Sequence, residues 1–116
     1  MSQIYSDHAR IDARSLALHR LVAQKIAENP ELLEIARDNI RRWQSANHPP
    51  SVALDEWADV LNGRVEEIAA LLVDTSERAT RLRQSTPFPG VLTQDERKAI
   101  YESYSARTYS MEVDDN

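Results

Sequence analysis

Five prolines, at positions 30, 49, 50, 87 and 89, and only two glycines, at 63 and 90, punctuate this 116-residue chain and limit what it can fold into. A proline inside a helix removes a backbone hydrogen bond and restricts the residue before it, so each proline marks a start or a break. Two glycines leave little material for β-turns. The stretches between these marks are dominated by Leu, Ala, Glu and Arg, which are good helix formers. The expected fold is all-α: a compact single-domain bundle of five to six short-to-medium helices. The proline breaks are too frequent and too uneven for a regular four-helix coil.

Apolar periodicity places the helices. Leu16, Leu18, Leu21, Val22, Ile26 and Ala27 recur at three- and four-residue steps, which predicts a long amphipathic helix over residues 12–29. Asn29-Pro30 then offers a cap residue and a proline at the first helical position. A second helix is expected over 30–46, with Leu32, Leu33, Ile35, Ala36, Ile40 and Trp43 facing inward. After the NHPPS break, "VALDEWADVLNG" predicts a short third helix burying Leu54, Trp57, Val60 and Leu61, with Asn62-Gly63 as a left-handed stop. A fourth, over 64–73, buries Val65, Ile68, Ala69, Leu71 and Leu72. Capping-box spacing recurs twice, at Asp74/Glu77 and at Thr93/Glu96, and opens a fifth helix that cannot pass Pro87 and a sixth that ends near Ser105. Residues 1–10 read as a flexible lead-in, 11–105 as the helical domain, and 106–116 as an acidic disordered tail.

Composition narrows the function classes. No cysteine is present, so disulfides, thiolate zinc sites and cysteine nucleophiles are excluded. A formal charge of −5 opposes indiscriminate nucleic-acid binding. No window approaches the roughly 18 apolar residues of a membrane span, so a soluble cytoplasmic protein with no membrane partner is expected. His8, His19 and His48 have no partner at metal-ligand spacing, and no Ca²⁺ loop surrounds Asp55, Glu56 and Asp59. No nucleophile elbow or glycine-rich phosphate loop can be built, and neither metal nor cofactor is expected.

The run "DTSERATRLRQSTPFPG", residues 74–90, stands out, because three arginines fall within six positions of an acidic protein. On a helix, Arg78 and Arg81 share a face and Arg83 points about 140° away from Arg78. These arginines can complement a helix dipole and pair with Glu66, Glu67 or Asp74. Alternatively, Arg78, Arg81, Arg83 and Gln84 form a partner-binding face with Phe88 as an apolar anchor. Tyr101 and Tyr104, three apart near the carboxyl end, either close the core or await a partner.

Two nucleic-acid readings compete. "IAALLVDTSERATRLRQS" is similar to a helix-turn-helix that would turn Ser76, Thr80, Arg81 and Gln84 toward a DNA groove, though the usual turn glycine is replaced by Val73. Arg42 with His48, and Arg14 with His19, have spacings that resemble the pattern of helical HEPN ribonucleases, in which imidazole moves a proton and arginine steadies phosphate.

"RIDARSLALHRLVAQKIAENPELLEIARDNIRRW" and "LLVDTSERATRLRQSTPFPGVLTQDERKAIY" resemble a group of small bacterial proteins. That group is associated with genes beside abortive-infection-type nucleotidyltransferase toxins, a setting of phage defence. The resemblance spans about residues 10–101 and is densest over "SERATRLRQSTPFPGVLTQDER". It implies an antitoxin without enzyme activity, which neutralises a cognate nucleotidyltransferase toxin by direct contact and is open to DNA contact for autoregulation.

Overall fold

The computed structural model describes the backbone of residues 2–46 and 51–105 and the side chains of residues 7–46 and 51–105. His48 and the tail 106–116 lie outside the described residues. Among those described there are six α-helices, one 3₁₀ turn and no strand. The helices are α1 (Ser2–Glu28), α2 (Leu33–Ser45), α3 (Val52–Leu61), α4 (Val65–Leu72), α5 (Glu77–Arg83) and α6 (Gln94–Ser103), and the 3₁₀ turn, Pro30–Leu32, leads into α2. The chain is a small all-α domain.

Helix α1 is helical from Ser2, through the segment expected to be a flexible lead-in. Its 27 residues span about 40 Å at 1.5 Å per residue, close to the 45 Å long axis of the molecule. It packs mainly along α4 and also touches the 3₁₀ turn, α5 and α6, so it is the axle of the bundle. Its buried stripe is His19, Val22, Ala23 and Ile26, whereas Ala27, expected inside, is exposed. Val22 and Ile26 meet Leu33, Ala36, Ile40, Trp57, Leu61, Ile68, Leu72 and Leu82 in one continuous core.

Caps set the element boundaries, and several differ from the sequence reading. Thr93 accepts from the Glu96 N–H while Glu96 accepts from the Thr93 N–H, the reciprocal box expected at α6. At α5 the cap is Ser76, whose hydroxyl oxygen accepts from the Ala79 N–H. Asp74, expected in that role, accepts instead from the backbone N–H and the hydroxyl of Ser76, two residues on. A short Asp side chain competes for the nearest donors, and that shifts the start of the helix. Gly63 has no positive φ; α3 closes instead with Asn62 and Gly63 donating to the carbonyls of Asp59 and Val60. A Cβ at Gly63 would lie 3.1 Å from a Glu67 carboxylate oxygen and 3.2 Å from the Val60 carbonyl, so close approach explains this glycine.

The largest departure concerns the segment after α5. Phe88, expected as an exposed anchor, is 4% exposed and plugs the core, edge-on to Trp57 with ring centroids 5.7 Å apart. Pro89 and Gly90 occupy the central positions of a β-turn closed by the Val91 N–H on the Phe88 carbonyl, and Gly90 has φ +96°. This is the residue pattern of a type II turn. The turn swings Phe88 and Val91 inward together.

Phe88→Ala removes the plug and is expected to cost about 3–5 kcal/mol. Gly90→Ala forces an L side chain into the left-handed region, 3.3 Å from the Ile35 side chain, and is expected to cost about 1–2 kcal/mol. Urea unfolding checks both; a loss under about 1 kcal/mol for Phe88→Ala contradicts the plug.

Candidate functional site

The arginines of α5 separate into two groups. Arg83, expected on a partner-facing surface, is 6% exposed. Its guanidinium donates to the carbonyls of Leu72 at 3.2 Å and Asp74 at 2.6 Å, and to the Thr80 hydroxyl at 3.3 Å. It therefore caps the carboxyl end of α4, where a cation also meets the negative pole of the helix. Burial lowers its pKa, and Asp74 and Asp12 oppose that shift.

Arg78 and Arg81 stay at the surface. Arg81 forks onto Glu56 of α3, donating at 3.0 and 3.2 Å to its two carboxylate oxygens, and the Arg78 Nε lies 3.9 Å from the same carboxylate. The partner is Glu56, not Glu66, Glu67 or Asp74. The Arg81 hydrogen bonds hold the Glu56 carboxyl below the usual carboxylate range, with the charge of Arg78 adding to the effect. Two guanidinium groups, 56% and 53% exposed at their side chains, thus share one carboxylate. Gln84 is exposed and closes the helix next to them.

Of the four residues of the DNA reading, Ser76 caps α5 and Thr80 receives Arg83, whereas Arg81, bound to Glu56, and Gln84 stay exposed. The helix cast as the recognition helix has seven residues and carries Glu77 at its start. For the ribonuclease reading, Arg42 is exposed on α2 and donates to the Asn39 side chain, and His48 lies outside the described residues. The Arg14/His19 pair differs from the expected arrangement. His19 is buried, its Nδ1 2.7 Å from the Ser15 carbonyl and its Nε2 2.8 Å from the Thr86 hydroxyl.

A carbonyl only accepts, so Nδ1 of His19 carries the proton and the neutral Nε2 accepts from the Thr86 hydroxyl. Thr86 Oγ1 in turn accepts from the Phe88 N–H at 3.3 Å. The imidazole also stands edge-on to the Phe88 ring. On the opposite side, the Asn39 amide donates to the carbonyls of Pro87 and Pro89, each at 2.9 Å. His19 and Asn39 therefore hold the Phe88 loop from two sides, a role the sequence reading assigned to neither. Their signal was positional: His19 lies three residues before Val22 and seven before Ile26, and Asn39 lies between Ala36 and Ile40 on the buried stripes.

At the other end of the loop, α6 is tied to α1. The Lys25 ammonium donates to the Val91 carbonyl at 3.0 Å and to Glu96 at 2.7 Å, and this bond to Lys25 is the main cause holding the Glu96 carboxyl below its ordinary range. Arg10 donates to the Tyr104 carbonyl at 3.2 Å, and Tyr104 itself is half-buried where α6 ends. Tyr101 is exposed, with the guanidinium carbons of Arg14 and Arg97 at 4.3 and 5.4 Å from its ring centre. Among the described residues no group of three or more His, Asp or Glu is placed to hold a metal ion, and no helix is long and apolar enough to cross a membrane.

No protein-family model matches the chain, and no curated protein or solved structure is significantly similar to it.

Burial lowers the His19 pKa, the Ser15 carbonyl partly restores it and Arg83 lowers it further. The unfolded chain therefore binds a proton at His19 at higher pH than the folded chain does. Its contribution is fully present above the unfolded value of about 6.5 and is lost as pH falls below it. The urea midpoint is expected to drop between pH 7.5 and pH 5.5, above the range in which Glu56 and Glu96 protonate. His19→Gln, less stable throughout, is expected to flatten that slope; an equally steep slope in the variant assigns it elsewhere.

Proposed function

We propose that this chain is a protein-binding module that neutralises a nucleotidyltransferase toxin by direct contact, contributing no catalysis of its own. The toxin as partner comes from the resemblance of residues 10–101 to small proteins encoded beside such enzymes. One observation supports the binding role most: Arg78 and Arg81 share the single carboxylate of Glu56 and remain more than half exposed. Arg81 takes both oxygens of that carboxylate while Arg78 approaches it only at 3.9 Å, so the Arg78 fork keeps its donors for a partner. Planar guanidinium forks suit carboxylates on a partner, and Gln84 offers both a donor and an acceptor beside them.

Rigidity favours the same surface. Ser76 caps α5, Ala79 and Leu82 anchor it in the core, and Arg83 ties it to the end of α4, so Arg78 and Arg81 start from fixed positions. Less ordering entropy is then lost on association. Docked this way, the two arginines reach carboxylates of the enzyme, including any that hold its catalytic metal.

Co-purification of the full chain with the product of its neighbouring gene tests the proposal. Arg78→Glu with Arg81→Glu is expected to weaken capture and neutralisation at least tenfold, while Glu56→Gln, which frees both guanidinium groups, preserves or strengthens them. Capture that survives the double charge reversal in a folded variant overturns the assignment of this surface.

A further inference from the structure

Between α1, the Phe88 loop and α6 lies a second candidate surface, unrelated to Arg78 and Arg81. A pocket of about 200 Å³ opens there, with Leu18, Val22, Phe88 and Leu92 along its walls and Arg97 and Tyr101 at its rim. Its size falls below the roughly 300–1,000 Å³ of sites that enclose a free small molecule. One apolar side chain presented by a polypeptide matches it better.

The charges around the rim point to the sign of the occupant. Arg14 from α1 and Arg97 from α6 both rest on the ring of Tyr101. Among the described residues neither guanidinium pairs with a carboxylate, although the chain has 19 acidic residues against 14 basic ones. Lys25, Arg37, Arg41 and Arg81 do have one, whereas Arg20, Arg42, Arg83 and Lys98 likewise do not among the described residues. Lys98 adds a third cation on the same side of α6, beside Arg97 and Tyr101. An exposed tyrosine held between two unpaired arginines, over an apolar pocket, has the composition of an interface centre.

We propose that this pocket receives one apolar side chain of an acidic segment of a partner protein, with flanking carboxylates pairing to Arg14 and Arg97. The inference rests on the reading of the chain as a protein-binding module, but it concerns a different surface. A nucleic acid is the poorer occupant, because the net charge of −5 repels a polyphosphate and the pocket walls, His19 and Thr86 apart, are mostly apolar.

The test uses the full chain, ¹⁵N-labelled, titrated with a capped pentapeptide of one leucine flanked on each side by two glutamates. Amide shifts are expected at Leu18, Val22, Phe88, Leu92 and Tyr101, and not on α5. Arg97→Glu is expected to weaken binding at least tenfold with an unchanged melting temperature, and replacing the leucine by glycine is expected to do the same. Arg78→Glu with Arg81→Glu should bind the peptide as the unaltered chain does, so failure at the pocket and failure at α5 are separate results. A peptide with lysines in place of the glutamates that binds equally well overturns the proposal. So does the absence of shifts at millimolar peptide, or tighter binding of a single-stranded oligonucleotide at the same residues.

Discussion

A loop whose carbonyls are turned inward can enter a hydrophobic core only if something donates to them, and in this protein the side-chain amide of Asn39 is that donor. Each buried carbonyl left without a partner costs about 1–3 kcal/mol, and prolines at 87 and 89 cannot help by donating from their own nitrogens. With both carbonyls satisfied, Phe88 can stand between His19 and Trp57, and Val91 can follow it inward. The Trp57 indole N–H donates to the Leu82 carbonyl at 2.9 Å, so the ring that meets Phe88 is also fastened to the end of α5. Helices α1, α2, α3 and α5 thus meet around one loop. The segment 84–93 between α5 and α6 does the work that a longer helix would do in a regular bundle.

The polar residues divide accordingly between building and display. A seven-residue helix is too short to hold itself together in water. Helix α5 persists because Ser76 caps it, Ala79 and Leu82 are buried, and Arg83 reaches the carbonyls that end α4. Arg78 and Arg81 are on the other side of this short helix and share Glu56 with α3. On the far side of the Phe88 loop, Arg14 and Arg97 rest on the ring of Tyr101 and pair with no carboxylate among the described residues. The same loop that closes the core separates two cationic surfaces, one partly neutralised and the other unpaired.

Much of the helical order was legible because proline and caps act locally. Pro30 begins its 3₁₀ turn, Thr93 with Glu96 opens α6, and the apolar steps of Leu33, Ala36 and Ile40 face the core as their spacing implies. Competition between neighbouring side chains was harder to read. Asp74 and Ser76 can each cap a helix, and the geometry of the turn decides in favour of Ser76. Phe88 and Arg83 were misread for a common reason. Loops run over surfaces and arginines face water in most sequences. Both rules yield here to partners distant in the chain, Asn39 and His19 for the loop and the Leu72 carbonyl for Arg83. A polar residue on an otherwise apolar helical stripe was the available clue, and Asn39 and His19 both carried it.

Native-state amide hydrogen exchange measures most directly whether the Phe88 loop is the closure on which the fold depends. The reporters are the Trp57 indole N–H, bonded to the Leu82 carbonyl, and the Val91 N–H, bonded to the Phe88 carbonyl. Both are expected to exchange only through global unfolding, with the same free energy and the same denaturant dependence as the core of α1 at Val22 and Ile26. Exchange of Val91 and Trp57 through a local opening, well below the global free energy while α1 stays protected, would contradict this account.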